Sequence, residues 1–261
     1  MIVLIVATVF VATIVGSISG IGGGVLIKPV LDAVTDMPAS QISFLSGITV
    51  LTMTIVSLLR SRGGEQKIGK TTVFLAIGAA VGGVAGKKVF DIIKASAGND
   101  AMVSLIQNII MVLLTIAVFI YTLKKEKVNT KNVENKVLVI IAGFVLGVLS
   151  SFLGIGGGPI NLMILSYLFS MDTKTAALNS LFVIFFSQVL SLVTTLVTRS
   201  VPQFEWTMLL LMMAFAVAGA TLGRAFSKKM TSKAVDKLFM ILMAVIIGLS
   251  VYNCIRYGMM V

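Results

Sequence analysis

Apolar runs alternate with short polar segments along the chain, at about 2–18, 25–35, 39–59, 71–86, 101–123, 137–153, 159–171, 176–198, 206–223 and 235–255. A helix rises 1.5 Å per residue, so ~20 residues cross the hydrocarbon of a bilayer. Eight runs are near that length, and those at 25–35 and 159–171 hold only about a dozen apolar residues. The pattern predicts an all-α integral membrane protein with eight full transmembrane helices plus two short, broken or re-entrant helices. The first run lacks a basic leader and a small-x-small cleavage site, and reads as a span rather than a cleaved signal.

The runs repeat. At an offset of 134 residues, Gly20–Gly24 map onto Gly154–Gly158, Met37 onto Met171, Ser46 onto Ser180 and Ser57 onto Ser191. A three-residue slip then pairs Gly82 with Gly219 and Gly86 with Gly223. The expected organisation is a first membrane repeat at 1–126, a basic connecting loop at 127–136 and a second repeat at 137–261.

Charge decides how the copies face. If each glycine block leaves the chain direction unchanged, there are eight spans and the basic residues divide almost evenly between the two sides. If each block reverses the chain, there are ten segments. Segments 60–71, 124–136 and 224–237 then share one side with four, five and five basic residues, against three and one in 87–101 and 199–205. Lys and Arg collect on the inner side of a membrane, so the count favours ten segments, an inverted repeat and both termini outside. The expected location is the cytoplasmic membrane, crossed many times.

Composition narrows the chemistry. Hydrophobic residues make up 57% of the chain and charged residues 12%, about half the charged share of a soluble domain. The formal net charge of +11 is explained by basic inner loops, so no nucleic-acid partner is implied. The chain has no histidine and a single cysteine, Cys254. That removes imidazole relays, His-based metal sites and an internal disulfide. No catalytic residue, metal site or cofactor is expected, and the protein reads as a non-enzyme. The bilayer is an obligatory partner, and the pattern is compatible with a homo-oligomer.

The sharpest motif is GIGGG, at 20–24 and 154–158. It is no dinucleotide fingerprint, because the sixth position is Val25 or Pro159, and no Lys-Ser/Thr pair follows for a phosphate loop. Glycine costs roughly 1 kcal/mol within a helix relative to alanine. Non-helical backbone at membrane depth persists only where protein or a watery cavity satisfies it. Each block is therefore expected to end one helix and start a half-helix, with Pro159 as a helix-start residue. Free N–H groups at such starts attract anions, and broken helices at matching places in two halves mark transporter sites. The Gly78/Gly82/Gly86 and Gly143/Gly147 spacings are assigned to close helix packing.

The candidate binding residues are Gly20, Gly22, Gly23, Gly24, Gly154, Gly156, Gly157 and Gly158, with Lys28, Ser46, Asn161, Asn179 and Ser180. Lys28 follows the first block by one turn, and its counterpart is Leu162; it reads equally as a partner for a bound anion or as a side chain that snorkels to an interface. The other polar residues of the same helices, Thr49, Thr52, Ser57, Gln188 and Ser191, fit hydrogen bonding between or within helices. Asp32, Asp36 and Asp172 fall at the ends of the short segments and read as interfacial, so no dedicated proton-carrying acid is evident; Asp32 or Asp36 serves as one only if the short segment is sunk into the bilayer. Trp206, Phe204, Tyr121 and Tyr252 read as interface anchors.

With SGIGGGVLIKPVL at 19–31 and LGIGGGPINLMIL at 153–165, the chain resembles the sulfite exporter TauE/SafE family of membrane permeases. The pairs Leu45-Ser46 and Asn179-Ser180 stand where that family commonly shows Thr-Ser, and GAAVGGVAGKK (78–88) and GATLGRAF (219–226) are similar too. The resemblance covers essentially the whole chain. It implies a carrier of small sulfur-containing anions such as sulfite or organosulfonates. Leu45 and Asn179 depart from the Thr of that pair. A small anionic substrate at a central site between the repeats is the expectation; the alternative is a structural or sensory membrane subunit without transport.

Overall fold

The computed structural model describes residues 2–62 and 66–261, so Gly63–Glu65 in the middle of the 60–70 loop lie outside the described residues. Among the described residues ten α-helices follow one another: α1 Ile2–Ser19, α2 Gly24–Val34, α3 Ala39–Arg60, α4 Lys70–Ala97, α5 Asp100–Lys124, α6 Lys136–Leu153, α7 Gly158–Phe169, α8 Thr173–Val197, α9 Trp206–Lys229 and α10 Ser232–Gly258. Eight of them are long and apolar enough to cross a membrane, and α2 and α7 are the short pair. The chain is thus an all-helical, multi-pass membrane protein. Large aliphatic side chains such as Val81, Ile92 and Leu113 point outward, as a lipid-facing surface requires.

Glycine lets the long helices approach. Side chains at Gly78 and Gly82 of α4 would strike the backbone of α6 at Ile140 and Phe144, and Gly143 and Gly147 meet α4 at Leu75 and Ala79. In the same way Gly219 and Gly223 of α9 meet α1 at Phe10 and Ile14. The expected packing role of Gly78, Gly82, Gly86, Gly143 and Gly147 is what the contacts display. Both pairings run parallel, so α1 points toward the end where α9 stops and α6 toward the end where α4 stops.

Each glycine block turns the chain back. A Cβ at Gly16 would lie 2.6 Å from the Gly23 amide, and one at Gly23 would lie 3.3 Å from the Ala12 carbonyl. From there α2 returns to the end of the molecule where α10 finishes, tied by Arg256 Nη2 to Asp36 at 2.6 Å. The α3/α4, α5/α6, α7/α8 and α9/α10 connections lie at the opposite end. There Lys125 and Thr173 both bond Asp236, and Thr72 bonds Asn179. Four basic residues or more lie in each of three of these connections.

α3 and α8 occupy matching positions in the two halves and pack antiparallel. Residues 43–51 of α3 face 188–195 of α8, while 55–59 face 178–186. α5 and α10 also run antiparallel, with Asn108 beside Asn253 and Lys125 beside Asp236. This course is consistent with two halves related by an axis in the membrane plane.

Candidate functional site

The two glycine blocks meet at the centre of the molecule. A Cβ at Gly24 would lie 2.7 Å from the Ile155 carbonyl oxygen, and one at Gly158 would fall onto the carbonyl of Ile21. Gly22 and Gly156 face the same two side chains, Val50 of α3 and Ile184 of α8, which are themselves 134 residues apart. Positive φ angles at Gly20 (78°), Gly22 (75°), Gly154 (66°), Gly156 (83°) and Gly157 (70°) make the turns. An L-residue pays a penalty there that glycine does not. Gly23 differs, with a φ of −62°.

Among the described residues, the amides of Ile21–Gly24 and Ile155–Gly158 find no acceptor within the chain. They open α2 and α7, where a helix leaves its first N–H groups free. Polar side chains around them are also unspent. Ser43 Oγ, Ser46 Oγ and both side-chain atoms of Asn161 are buried without a hydrogen-bond partner among the described residues. Ser180 Oγ instead donates to the Gly20 carbonyl at 2.6 Å.

Other sequence candidates sit elsewhere. Asn179 donates to Thr175 O at 2.7 Å and accepts from Thr72, tying α8 to the start of α4. The Lys28 ammonium lies 3.6 Å from Asp32 Oδ2, with the two side chains 2% and 0% exposed. Asp32 is therefore no interfacial residue. α5 and α10 close over it, and sequence reading misplaces it because that cover comes from more than 70 positions away. Asp36 is largely exposed and Asp172 caps α8, as interfacial residues would be. Thr49 and Thr52 bond back to their own helix at 2.7 and 2.9 Å.

A cavity of about 50 Å³ runs between α3 and α8 from the end of the molecule opposite the basic loops down to the second glycine turn. Gly154 closes it below; Ser40, Ser43, Ser151, Ser191, Thr195, Gln188 and Lys87 supply its polar wall. No carboxylate is among its described lining residues, although Lys87 is ion-paired at 2.9 Å with Asp91 outside it. Ser151 and Ser191 hydrogen-bond across α6 and α8 at 2.9 Å.

That serine pair has a counterpart. Ser17 and Ser57, 134 residues earlier, bond across α1 and α3 at 2.8 Å. Beside them stands Arg224, which the 137-residue offset pairs with Lys87. Arg224 is 5% exposed, reaches Ser17 O and Ser227 Oγ only at 3.5 Å, and its Nε has no partner among the described residues. Lys87 and Arg224 are functional candidates that the sequence reading missed. The signal was present, since each residue directly follows the glycine that the slip aligns.

The sequence model of the family described as "Sulfite exporter TauE/SafE" matches residues 5–250. The chain is also 25% identical over 271 residues to the "Probable membrane transporter protein YunE" of Bacillus subtilis (strain 168), covering 94% of this chain and 95% of that protein. No solved structure matches the chain. With a match over nearly its whole length, the chain belongs to the TauE/SafE family of membrane transporters.

Proposed function

We propose that the protein carries a small oxyanion, sulfite or an organosulfonate, across the cytoplasmic membrane, through a central site where the two halves meet. The observation that carries this reading is the meeting of two glycine turns whose buried amides have no acceptor among the described residues. An oxyanion is an acceptor without donors, and it matches an environment of N–H and O–H groups. The cavity above Gly154 supplies hydroxyls and an ammonium along the approach. Arg224, buried with no carboxylate beside it among the described residues, supplies a cation nearer the basic loops, and its cheapest partner in a low-dielectric interior is an anion. The family's name supports sulfur oxyanions as the class.

A turn-lined centre at which the two repeats meet suits alternate opening to either side. A purely structural subunit would be better served by filling the centre with apolar side chains than by leaving polar atoms unpaired there. The test is purified protein in liposomes given radiolabelled sulfite with unlabelled sulfite, sulfonates, sulfate and chloride as competitors. Saturable exchange, inhibited by sulfur oxyanions and not by chloride, is expected. Liposomes with protein that exchange none of these anions faster than empty ones would end the proposal.

A further inference from the structure

Lys28 and Asp32 lie one helical turn apart on α2 and are sunk into protein, 2% and 0% exposed. Their separation of 3.6 Å is outside hydrogen-bonding reach, and Lys28 Nζ and Asp32 Oδ1 have no hydrogen-bond partner among the described residues. Placing each charge at membrane depth is costly, and so loose a pair recovers only part of that cost. Packing does not call for these charges, because the corresponding positions of α7 are Leu162 and Ser166.

The carboxylate is buried yet close to water. Asp32 Oδ2 accepts from Asn108 Nδ2 at 3.1 Å, and the same amide donates to Ser104 O at 2.9 Å. Ser104 and Tyr257 wall a cavity of about 200 Å³ at the end of the molecule opposite the basic loops, together with Asp36, Asp100 and Arg256. Tyr257 Oη donates to the Asp32 carbonyl at 3.2 Å. One residue separates the cavity from the carboxylate.

The charged neighbours leave Asp32 without a strong competitor for its proton. Arg256 is committed to the Asp36 carboxylate at 2.6 Å and to the Asp32 and Thr35 carbonyls. Asp100 pairs with Lys94 at 3.8 Å. Tyr257 presents a neutral phenol, α1 carries no charged residue, and α3 has only Arg60, at its far end. Lys28 is the sole cation facing the carboxylate among the described residues.

We propose that Asp32 is a proton-coupling carboxylate that takes one proton from the Tyr257 cavity for each anion bound. The step is –COO⁻ plus H⁺ giving –COOH, with no other bond made or broken, and the proton leaves to water on the far side with the anion. Neutralising Asp32 removes the counter-charge of the Lys28 ammonium, one turn below the first glycine turn. The net charge of α2 rises by one where the anion binds. Linkage is reciprocal, so the bound anion favours the proton in turn, and the two move in the same direction. This inference rests on the anion-carrier reading.

Two measurements test it. In proteoliposomes with radiolabelled sulfite, the natural protein accumulates label down an imposed pH gradient. Asp32→Asn still exchanges sulfite for sulfite and accumulates none, while Asp32→Glu retains accumulation. Gradient-driven accumulation by Asp32→Asn, or exchange by the natural protein that ignores the gradient, overturns the coupling role. Infrared titration of the purified protein needs no substrate. A carboxylic C=O band that grows on acidification and is absent in Asp32→Asn is expected; a band unchanged by the substitution refutes the proton site. Absence of any exchange by the natural protein condemns the anion reading, and the infrared result still decides the proton site.

Discussion

At the first glycine turn, Gly23 lies in the right-handed region with φ −62° and leads into a helix bearing Lys28 and Asp32. At the second, Gly157 is left-handed with φ +70°, and the chain enters α7 through Pro159 toward Leu162 and Ser166. The turns share their contacts with Val50 and Ile184 and touch each other, so the shared part is the central meeting point. What differs lies on α2 and α7, facing α10 and α5. Tyr257 reaches Asp32 in one half, and in the other Tyr121 reaches Ser166 at 3.3 Å. The same frame thus holds a charged pair on one side and neutral groups on the other. On the proposed reading, the centre serves one ligand and the coupling chemistry is confined to one half.

The largest expected effect contrasts the turns themselves. Gly157→Ala places an L-residue in the left-handed region, at about 1–2 kcal/mol, and sets its Cβ 2.9 Å from Ser150 Cβ. Gly23→Ala keeps an ordinary φ, and its Cβ meets Thr13 Cγ2 at 3.1 Å. Sulfite exchange and melting temperature should both fall much further for Gly157→Ala. Equal losses from the two substitutions would mean that the backbone difference between the turns has no consequence.

Next comes the pair of cations. Arg224→Gln removes a guanidinium with no carboxylate to balance it among the described residues, whereas Lys87→Gln removes an ammonium already paired with Asp91. A hydrogen bond to a charged group contributes about 1.5–3 kcal/mol, roughly 10- to 100-fold in affinity. Arg224→Gln should raise the sulfite concentration for half-maximal exchange by that factor, and Lys87→Gln by less. The reverse order in a concentration series would show that the Lys87 approach carries the binding.

The ten helices are legible in the sequence because hydrocarbon demands long apolar runs, and the central turns because four glycines in five positions have no other use at that depth. Close packing through Gly78, Gly82, Gly143 and Gly147 is legible for a similar reason, since the four-residue spacing repeats on one helix face. The environment of Asp32 is not. Its local neighbours, Thr35 and Asp36, look like a helix end at an interface, and its burial is decided by Asn108 and Asn253 on helices that pack over it. Asn179 and Ser180 show the same limit. They are adjacent in sequence, but consecutive helical positions point in different directions, so one ties α8 to α4 and the other reaches Gly20.

The smallest effect concerns how the central helices begin. α8 starts at Asp172, whose side chain accepts from the Lys174 and Thr175 amides at 3.0 and 3.2 Å. α3 starts at the corresponding Pro38, with no side-chain cap. Partial burial acts to raise the Asp172 pKa, but the hydrogen bonds from Thr175 and Lys174 outweigh it and hold the carboxyl below its ordinary value. A lowered folded-state pKa means that the cap stabilises above the ordinary carboxylate range and fades as pH falls through the lowered value. Asp172→Ala should therefore cost about 1 kcal/mol at neutral pH. The deficit relative to the natural protein should shrink in acid, as read from melting curves in detergent. Pro38→Ala removes no cap and should show no such pH-dependent deficit. A constant deficit for Asp172→Ala across pH would mean that the cap's charge plays no part and that the two helix starts differ only in backbone geometry.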